Sequence, residues 1–116
     1  MPPDADDFIT RTQGDILIVR FKTEALINVH DIERIHSGIS ALIAGGVRKL
    51  ILDFKNVLYT SSATLGVMIA INKELAAVNG KMVVSHPEHL MPLLKVSKTK
   101  KLFVLADDPK QAMELF

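Results

Sequence analysis

Hydrophobic and polar positions alternate with two different periods along the chain, and the change of period separates predicted strands from predicted helices. Two β-rich runs, 8–12 and 16–21, flank Gln13-Gly14-Asp15, which predicts a hairpin. The run 47–54 is apolar on both faces around Ile51, a pattern typical of a central strand covered on each side. Further strands are predicted at 81–85 and 102–105, and the brief apolar run 25–27 is a candidate for a short extra strand.

Four segments between these strands have helical character. Asn28 or Asp31 offers an N-cap to the first helix, and Gly45-Gly46 offers its end. This helix is amphipathic, because its apolar residues share one face: Ile32, Ile35, Ile39, Leu42 and Ile43. The second helix, 62–78, is apolar nearly all round, which suits burial but leaves more apolar surface than one sheet-facing stripe needs. A short third helix is predicted to begin at Pro87, and a fourth to run from 109 to 116.

This order of elements predicts an α/β fold. Strands that alternate with helices favour a mixed, mostly parallel sheet, here of about four or five strands with about four helices. The first hairpin adds an antiparallel edge. Residues 1–7 are expected to form a flexible N-terminus, and residues 8–116 one domain without repeats or linkers.

Composition excludes several classes of function. The chain has 116 residues, a net charge of +1 and no cysteine, so neither nucleic-acid binding by bulk charge nor thiol chemistry is indicated. No apolar run reaches the ~18 residues that a membrane span needs, and a cytoplasmic protein without membrane insertion is expected. The four histidines lack metal-ligand spacing, and no glycine-rich phosphate loop is present. We therefore expect no metal and no cofactor.

The candidate chemistry lies where consecutive hydroxyls follow the central strand and open the second helix. The first N–H groups of a helix lack intrahelical partners, and the helix dipole favours negative charge there. Thr60, Ser61 and Ser62 therefore allow two interpretations. They are either helix caps, for which a single hydroxyl suffices, or they include an acceptor for reversible phosphorylation.

The same segment carries a family resemblance. Asp53-Phe54, followed by Val57, Tyr59, Ser62 and Leu65-Gly66, resembles the core motif of STAS domains of the anti-sigma factor antagonist kind, and the resemblance extends from about residue 8 to 116. It implies a STAS fold and a regulator that is not an enzyme. The partner it implies is an anti-sigma factor that is also a serine kinase, with ATP and magnesium on the partner. By position the phosphate acceptor would be Ser62, with Ser61 as second choice.

The resemblance also implies a partner-binding surface. Its residues belong to the hydroxyl-bearing loop, the start of the second helix and one upstream position: Asn28, Tyr59, Thr60, Ser61, Ser62, Ala63, Thr64, Leu65 and Gly66. The chain departs from the family pattern at four places. Ser61 and Asn28 replace acids, Thr64 replaces a glycine, and Lys98-Thr99 stands where Gly-Leu is frequent.

Alternatives remain open at this point. The domain could be a constitutive scaffold or assembly subunit of a stress-signalling or transporter complex, with no phosphorylation. A hydrolase or transferase that uses Ser62 would need a histidine within hydrogen-bond reach of its hydroxyl. A homodimer through an edge strand is compatible with the pattern. The run of Lys95, Lys98, Lys100 and Lys101 is either a solvated loop or a contact to an acidic partner.

Overall fold

The structure is a computed structural model that describes residues 7–116, so most of the expected N-terminal segment 1–7 lies outside the described residues. Asp7, the last residue of that segment, pairs with Arg34 at 3.0 Å. Within the described range the strands are β1 (Phe8–Gln13), β2 (Ile16–Phe21), β3 (Ala25–Leu26), β4 (Lys49–Asp53), β5 (Tyr59–Thr60), β6 (Lys81–Ser85) and β7 (Val104–Ala106). The helices are α1 (Val29–Ala44), α2 (Ser62–Ala77), α3 (Met91–Ser97) and α4 (Pro109–Met113), with a 3₁₀ turn at Lys100–Leu102.

Five strands form the main sheet, in the order β1-β2-β4-β6-β7. Strand β1 is antiparallel to β2, and every other neighbouring pair is parallel. The register places Leu17, Leu50 and Met82 side by side in one apolar row. The α/β class and the mixed, mostly parallel sheet that the sequence predicts are thereby confirmed.

Apolar layers cover both faces of this sheet, because side chains alternate between the two faces along each strand. Leu50 and Leu52 belong to the larger layer, together with apolar residues of α1, α2 and α3. Ile51 belongs to the smaller layer, where Ala112 of α4 covers it. All four side chains are buried. The pattern of a central strand covered on both sides is therefore correct.

Helix α1 has the ends that its sequence predicts. The Asn28 side chain accepts hydrogen bonds from the backbone N–H groups of His30, at 2.9 Å, and Asp31, at 3.3 Å. It therefore satisfies two donors that the first helical turn leaves without partners. At the other end Gly46 adopts a φ of 118°, a left-handed conformation that glycine permits.

The prediction that α3 begins at Pro87 is wrong. The carbonyl of Pro87 accepts hydrogen bonds from the N–H groups of Leu90, at 2.9 Å, and Met91, at 3.1 Å, and so closes a turn before the helix. The helix itself begins at Met91, with Pro92 in its first turn. Proline is tolerated there because N–H groups of the first turn have no intrahelical acceptor.

Two further boundaries near the C-terminus differ from the prediction. Strand β7 is Val104–Ala106 and not 102–105, because Leu102 closes the 3₁₀ turn. Helix α4 ends at Met113 and not at 116, since Glu114 and Leu115 donate to carbonyls three residues earlier in tighter turns. By contrast, the bounds of β4 and α2 fall within two residues of the prediction.

A separate two-stranded parallel sheet joins β3 to β5. Ala25 lies opposite Tyr59, and Leu26 opposite Thr60. The short run 25–27 is therefore a strand in part, whereas β5 is too short to be predicted from its period. This small sheet brings the segment before α1 beside the segment before α2.

A polar cluster connects α1 to α2. Glu74 on α2 accepts a hydrogen bond from the Ser40 hydroxyl, and its Oε2 lies 2.7 Å from His36 Nε2. Burial raises the pKa of the Glu74 carboxyl, but the hydrogen bonds from Ser40 and His36 outweigh this and hold the pKa below its usual value. The charged form of Glu74 is thus favoured in the folded protein.

We expect the stabilising effect of Glu74 to depend on pH. A carboxyl whose pKa is lower in the folded state adds stability above its unfolded pKa, about 4.5, and this stability is lost as the pH falls through the folded pKa. Urea unfolding at several pH values should therefore give wild type a higher free energy of unfolding than Glu74→Gln near neutral pH. The difference in free energy between the two proteins should shrink below a pH of about 4.5. The variant Glu33→Gln, on the exposed face of α1, is the control. An undiminished difference for Glu74→Gln at pH 3 would contradict the assignment.

Candidate functional site

The three consecutive hydroxyls occupy three different environments. Thr60 is half-buried at the end of β5, and Ser61 is the N-cap of α2 with extended backbone angles. The Oγ atom of Ser61 is buried and has no hydrogen-bond partner among the described residues. Ser62 is the first residue of α2 and is exposed. Of the three, Ser62 is therefore the hydroxyl that a second protein can reach.

The position of Ser62 also favours negative charge. It lies in the first turn of a helix of 16 residues that has no acidic residue in that turn. Partial positive charge from unpaired N–H groups accumulates at this end of a helix. A phosphate on Ser62 would therefore be compatible with α2, and its main effect would fall on a protein that covers this surface.

The Thr64 side chain holds the segment before α2 in place through two hydrogen bonds. Its hydroxyl donates a hydrogen bond of 2.6 Å to the carbonyl of Leu26 in β3, and accepts one of 3.3 Å from the N–H group of Ser61. Thr64 and Leu65 are both buried. Within the predicted partner-binding segment these two side chains therefore pack into the interior of the domain, while those of Tyr59 and Ser62 face solvent.

The small sheet joins the segment before Asn28 to the segment that carries the hydroxyls. The register pairs Leu26 with Thr60, and the Thr64 hydroxyl donates to the Leu26 carbonyl at 2.6 Å, so the segment before Asn28 is joined to the start of α2. Asn28 is exposed and its side chain caps α1. The segments that lead into Asn28 and Ser62, 34 residues apart in sequence, therefore leave the small sheet at the same end.

Exposed apolar side chains surround this end. Tyr59 is 63% exposed, and Leu58 before it is exposed as well. Ile27 and Val29 are exposed on either side of Asn28. We call the surface formed by 27–29, 58–59 and Ser62 the Ser62 surface. Exposed apolar residues that cluster at one place are typical of a protein-binding site.

A buried carboxylate supports the loop that leads to this surface. Asp53, at the end of β4, is fully buried and accepts a hydrogen bond of 2.7 Å from Arg20 Nε. It also accepts hydrogen bonds from the Ser85 hydroxyl, at 3.1 Å, and from the N–H group of Lys55, at 3.2 Å. Sequence reasoning matched Asp53 to the family motif but gave it no role, since its partners are distant in sequence.

A hydrolase that uses Ser62 would need a histidine at hydrogen-bond distance from its hydroxyl. No hydrogen bond joins a histidine to the Ser62 hydroxyl within residues 7–116, and His36 contacts Glu74 instead. No group of three or more metal-ligating side chains occurs in the same range. None of the helices within residues 7–116 has the length and hydropathy required to cross a membrane. The hydrolase alternative therefore lacks the contact that it requires.

The fold and the site together define a class: an α/β domain that presents an exposed serine at the start of a helix, beside exposed apolar side chains. The comparisons with known proteins agree with this class. Residues 7–112 match the STAS domain family, and the chain belongs to that family.

Three similar proteins are named as anti-sigma factor antagonists or candidates for that role. The chain is 26% identical over 94 residues to BtrV of Bordetella bronchiseptica, a candidate anti-sigma factor antagonist. The matched residues make up 80% of this chain and 81% of BtrV. The crystal structure of a candidate anti-sigma factor antagonist (tm1081) from Thermotoga maritima is similar with a TM-score of 0.83 at 20% identity, over 93% and 92% of the two chains. The anti-sigma factor antagonist SpoIIAA in its unphosphorylated form gives a TM-score of 0.71 at 22% identity, over 92% and 94%.

Proposed function

We propose that this protein is an anti-sigma factor antagonist-like regulator that binds an anti-sigma serine kinase and is released by phosphorylation at Ser62. In this proposal the protein is not an enzyme, and ATP and magnesium belong to the partner. The observation that carries it is the exposure of Ser62 at the start of α2, beside the apolar residues of the Ser62 surface.

The setting of the neighbouring hydroxyls supports Ser62 over Ser61 as the acceptor. A kinase must reach the hydroxyl oxygen of its substrate, and the Oγ of Ser61 is buried. A phosphate on Ser62 would carry a charge of about −1.5 to −2 into a surface of exposed apolar side chains. A partner that buries this surface would then have to desolvate the phosphate, which opposes binding. The name of BtrV, a candidate anti-sigma factor antagonist, supports an anti-sigma factor as the partner.

A second candidate function is a constitutive binding subunit. It is favoured by two uncharged residues: Asn28, whose side chain caps α1, and Ser61, which occupies the N-cap position of α2. Under this hypothesis the Ser62 surface binds its partner permanently, and the Ser62 hydroxyl is never modified. Phosphopeptide mapping of the protein isolated from its native cells separates the two hypotheses, because only the first expects a phosphate on Ser62.

The consequence for binding can be tested with a charge at Ser62. We expect Ser62→Asp to weaken capture of the partner at least about tenfold in in-cell crosslinking, because the carboxylate has to be desolvated. Ser62→Ala should retain capture, and both variants should melt within a few degrees of wild type.

Ser37→Asp is the matched control, since Ser37 is exposed in the middle of α1 and lies outside the Ser62 surface. Equal capture by Ser62→Asp and Ser37→Asp would contradict the switch. Loss of capture by Ser62→Ala as well would mean that the hydroxyl itself contacts the partner.

A further inference from the structure

A second exposed surface combines positive charge with apolar side chains. It lies on α3 and the 3₁₀ turn that follows, and we call it the lysine surface. Val96 is 83% exposed and Leu102 is 52% exposed. The lysines that accompany them are also exposed: Lys95, Lys98, Lys100 and Lys101.

The backbone of this surface is held on both sides. Leu94 is fully buried and Phe103 is buried, so the segment between them is anchored in the larger apolar layer at each end. The N–H group of Thr99 donates to the carbonyl of Leu94 at 3.0 Å, and Asn72 Nδ2 of α2 donates to the carbonyl of Leu102 at 3.0 Å. Charges and apolar groups are thus presented on a fixed backbone, which reduces the entropy lost on binding.

The charge of this surface is not neutralised within residues 7–116. None of its four lysines forms an ion pair there, whereas Lys49 pairs with Asp15 at 2.8 Å. The sequence from 89 to 106 contains no Asp or Glu. Lys100 alone borders an open depression of about 380 Å³ that also contains Glu88 and Asp107. The positive charge that no nearby carboxylate balances is therefore that of Lys95, Lys98 and Lys101.

We infer that the lysine surface docks an acidic segment of a second protein, one that also carries apolar side chains. Carboxylates of such a segment would pair with Lys95, Lys98 and Lys101, and its apolar side chains would cover Val96 and Leu102. Charge complementarity of this kind raises association rates and selects the partner. Single-stranded nucleic acid is disfavoured because no aromatic platform accompanies the lysines, and a membrane surface because a seven-residue helix presents too little apolar area.

This surface is separate from the Ser62 surface. Asn72, which holds Leu102, lies ten residues after Ser62 on α2, a distance of about 15 Å along the helix. The docking site therefore goes beyond the proposed switch and does not depend on it.

The test uses the full chain and a fluorescein-labelled peptide of alternating Glu and Leu, measured by fluorescence anisotropy. We expect Lys98→Glu with Lys101→Glu to weaken binding at least about tenfold, and Val96→Ser to weaken it severalfold. The matched control is Lys22→Glu with Lys110→Glu, which changes the net charge equally at exposed positions elsewhere and should alter binding less than about twofold. A peptide of alternating Glu and Ser should bind markedly more weakly than the leucine peptide.

Three outcomes would overturn the inference. Equal losses in the two double variants would show that only net charge matters. Equal binding of the serine and leucine peptides would show that Val96 and Leu102 take no part. Binding of phosphatidylglycerol vesicles that requires Lys98 and Lys101, without peptide binding, would assign the surface to a membrane. Thermal melting of each variant checks that the fold is retained.

Discussion

Replacing Arg20 with Ala is expected to lower the free energy of unfolding by about 3 to 5 kcal/mol, because it leaves the Asp53 carboxylate buried without a counter-charge. Asp53 is fully buried, whereas the Arg20 side chain is 37% exposed. The more exposed partner should therefore be the more costly one to remove. Asp53→Ala leaves a guanidinium that water can reach, so its cost should be smaller, about 2 to 3 kcal/mol from the donors that lose their acceptor.

Urea denaturation of both variants and of wild type measures this order. Lys49→Ala is the control, since it breaks an exposed pair with Asp15 in the same sheet and should change stability little. A double variant, Arg20→Leu with Asp53→Leu, should recover part of the loss because no charge is left buried. If Arg20→Ala were milder than Asp53→Ala, removal of the Arg20 side chain would have let water reach the Asp53 carboxylate, and the pair would not be a buried one in the variant.

The Arg20–Asp53 pair also bears on the site. Asp53 accepts a hydrogen bond from the N–H group of Lys55, which lies at the start of the loop that leads to β5 and Ser62. Loss of this hydrogen bond should let the loop move, and with it the residues of the Ser62 surface that follow the loop. We therefore expect Asp53→Ala to reduce partner binding even at temperatures where the domain stays folded.

Local periodicity explains why so much of the fold could be predicted. The isoleucines of α1 recur on one helical face, and Leu50–Leu52 form a continuous apolar run, so each element is determined by residues that are near in sequence. The hairpin is equally local, because Gly14 adopts a φ of 62° in a two-residue turn between β1 and β2.

The parts that could not be predicted depend on contacts between distant residues. Strand β5 is two residues long and exists because it pairs with β3, more than thirty residues earlier. The hydrogen bond from Thr64 to the carbonyl of Leu26 spans 38 residues, and the pair of Arg20 with Asp53 spans 33. The resemblance could point to Ser62, but only these contacts distinguish its exposed hydroxyl from the buried Oγ of Ser61.

Leu65→Asp is expected to lower the free energy of unfolding by at least about 4 kcal/mol. Leu65 is only 8% exposed and belongs to the larger apolar layer. The substitution removes buried apolar contacts, worth about 2 to 5 kcal/mol, and places a carboxylate where no partner is available. Because small domains are stable by only about 5 to 15 kcal/mol, a large unfolded population is expected at 37 °C.

The adjacent residue provides a matched control. A Cβ added at Gly66 meets no atom within 4 Å, and Gly66 is exposed on α2. Gly66→Asp should therefore leave the melting temperature within a few degrees of wild type, helped by the better helix propensity of any residue over glycine. Because both variants introduce the same carboxylate at adjacent positions, a difference in their melting temperatures would be due to the burial of Leu65. Similar melting temperatures for the two variants would mean that Leu65 is not part of the core and that the first turns of α2 are rotated, which would also remove the basis for an exposed Ser62.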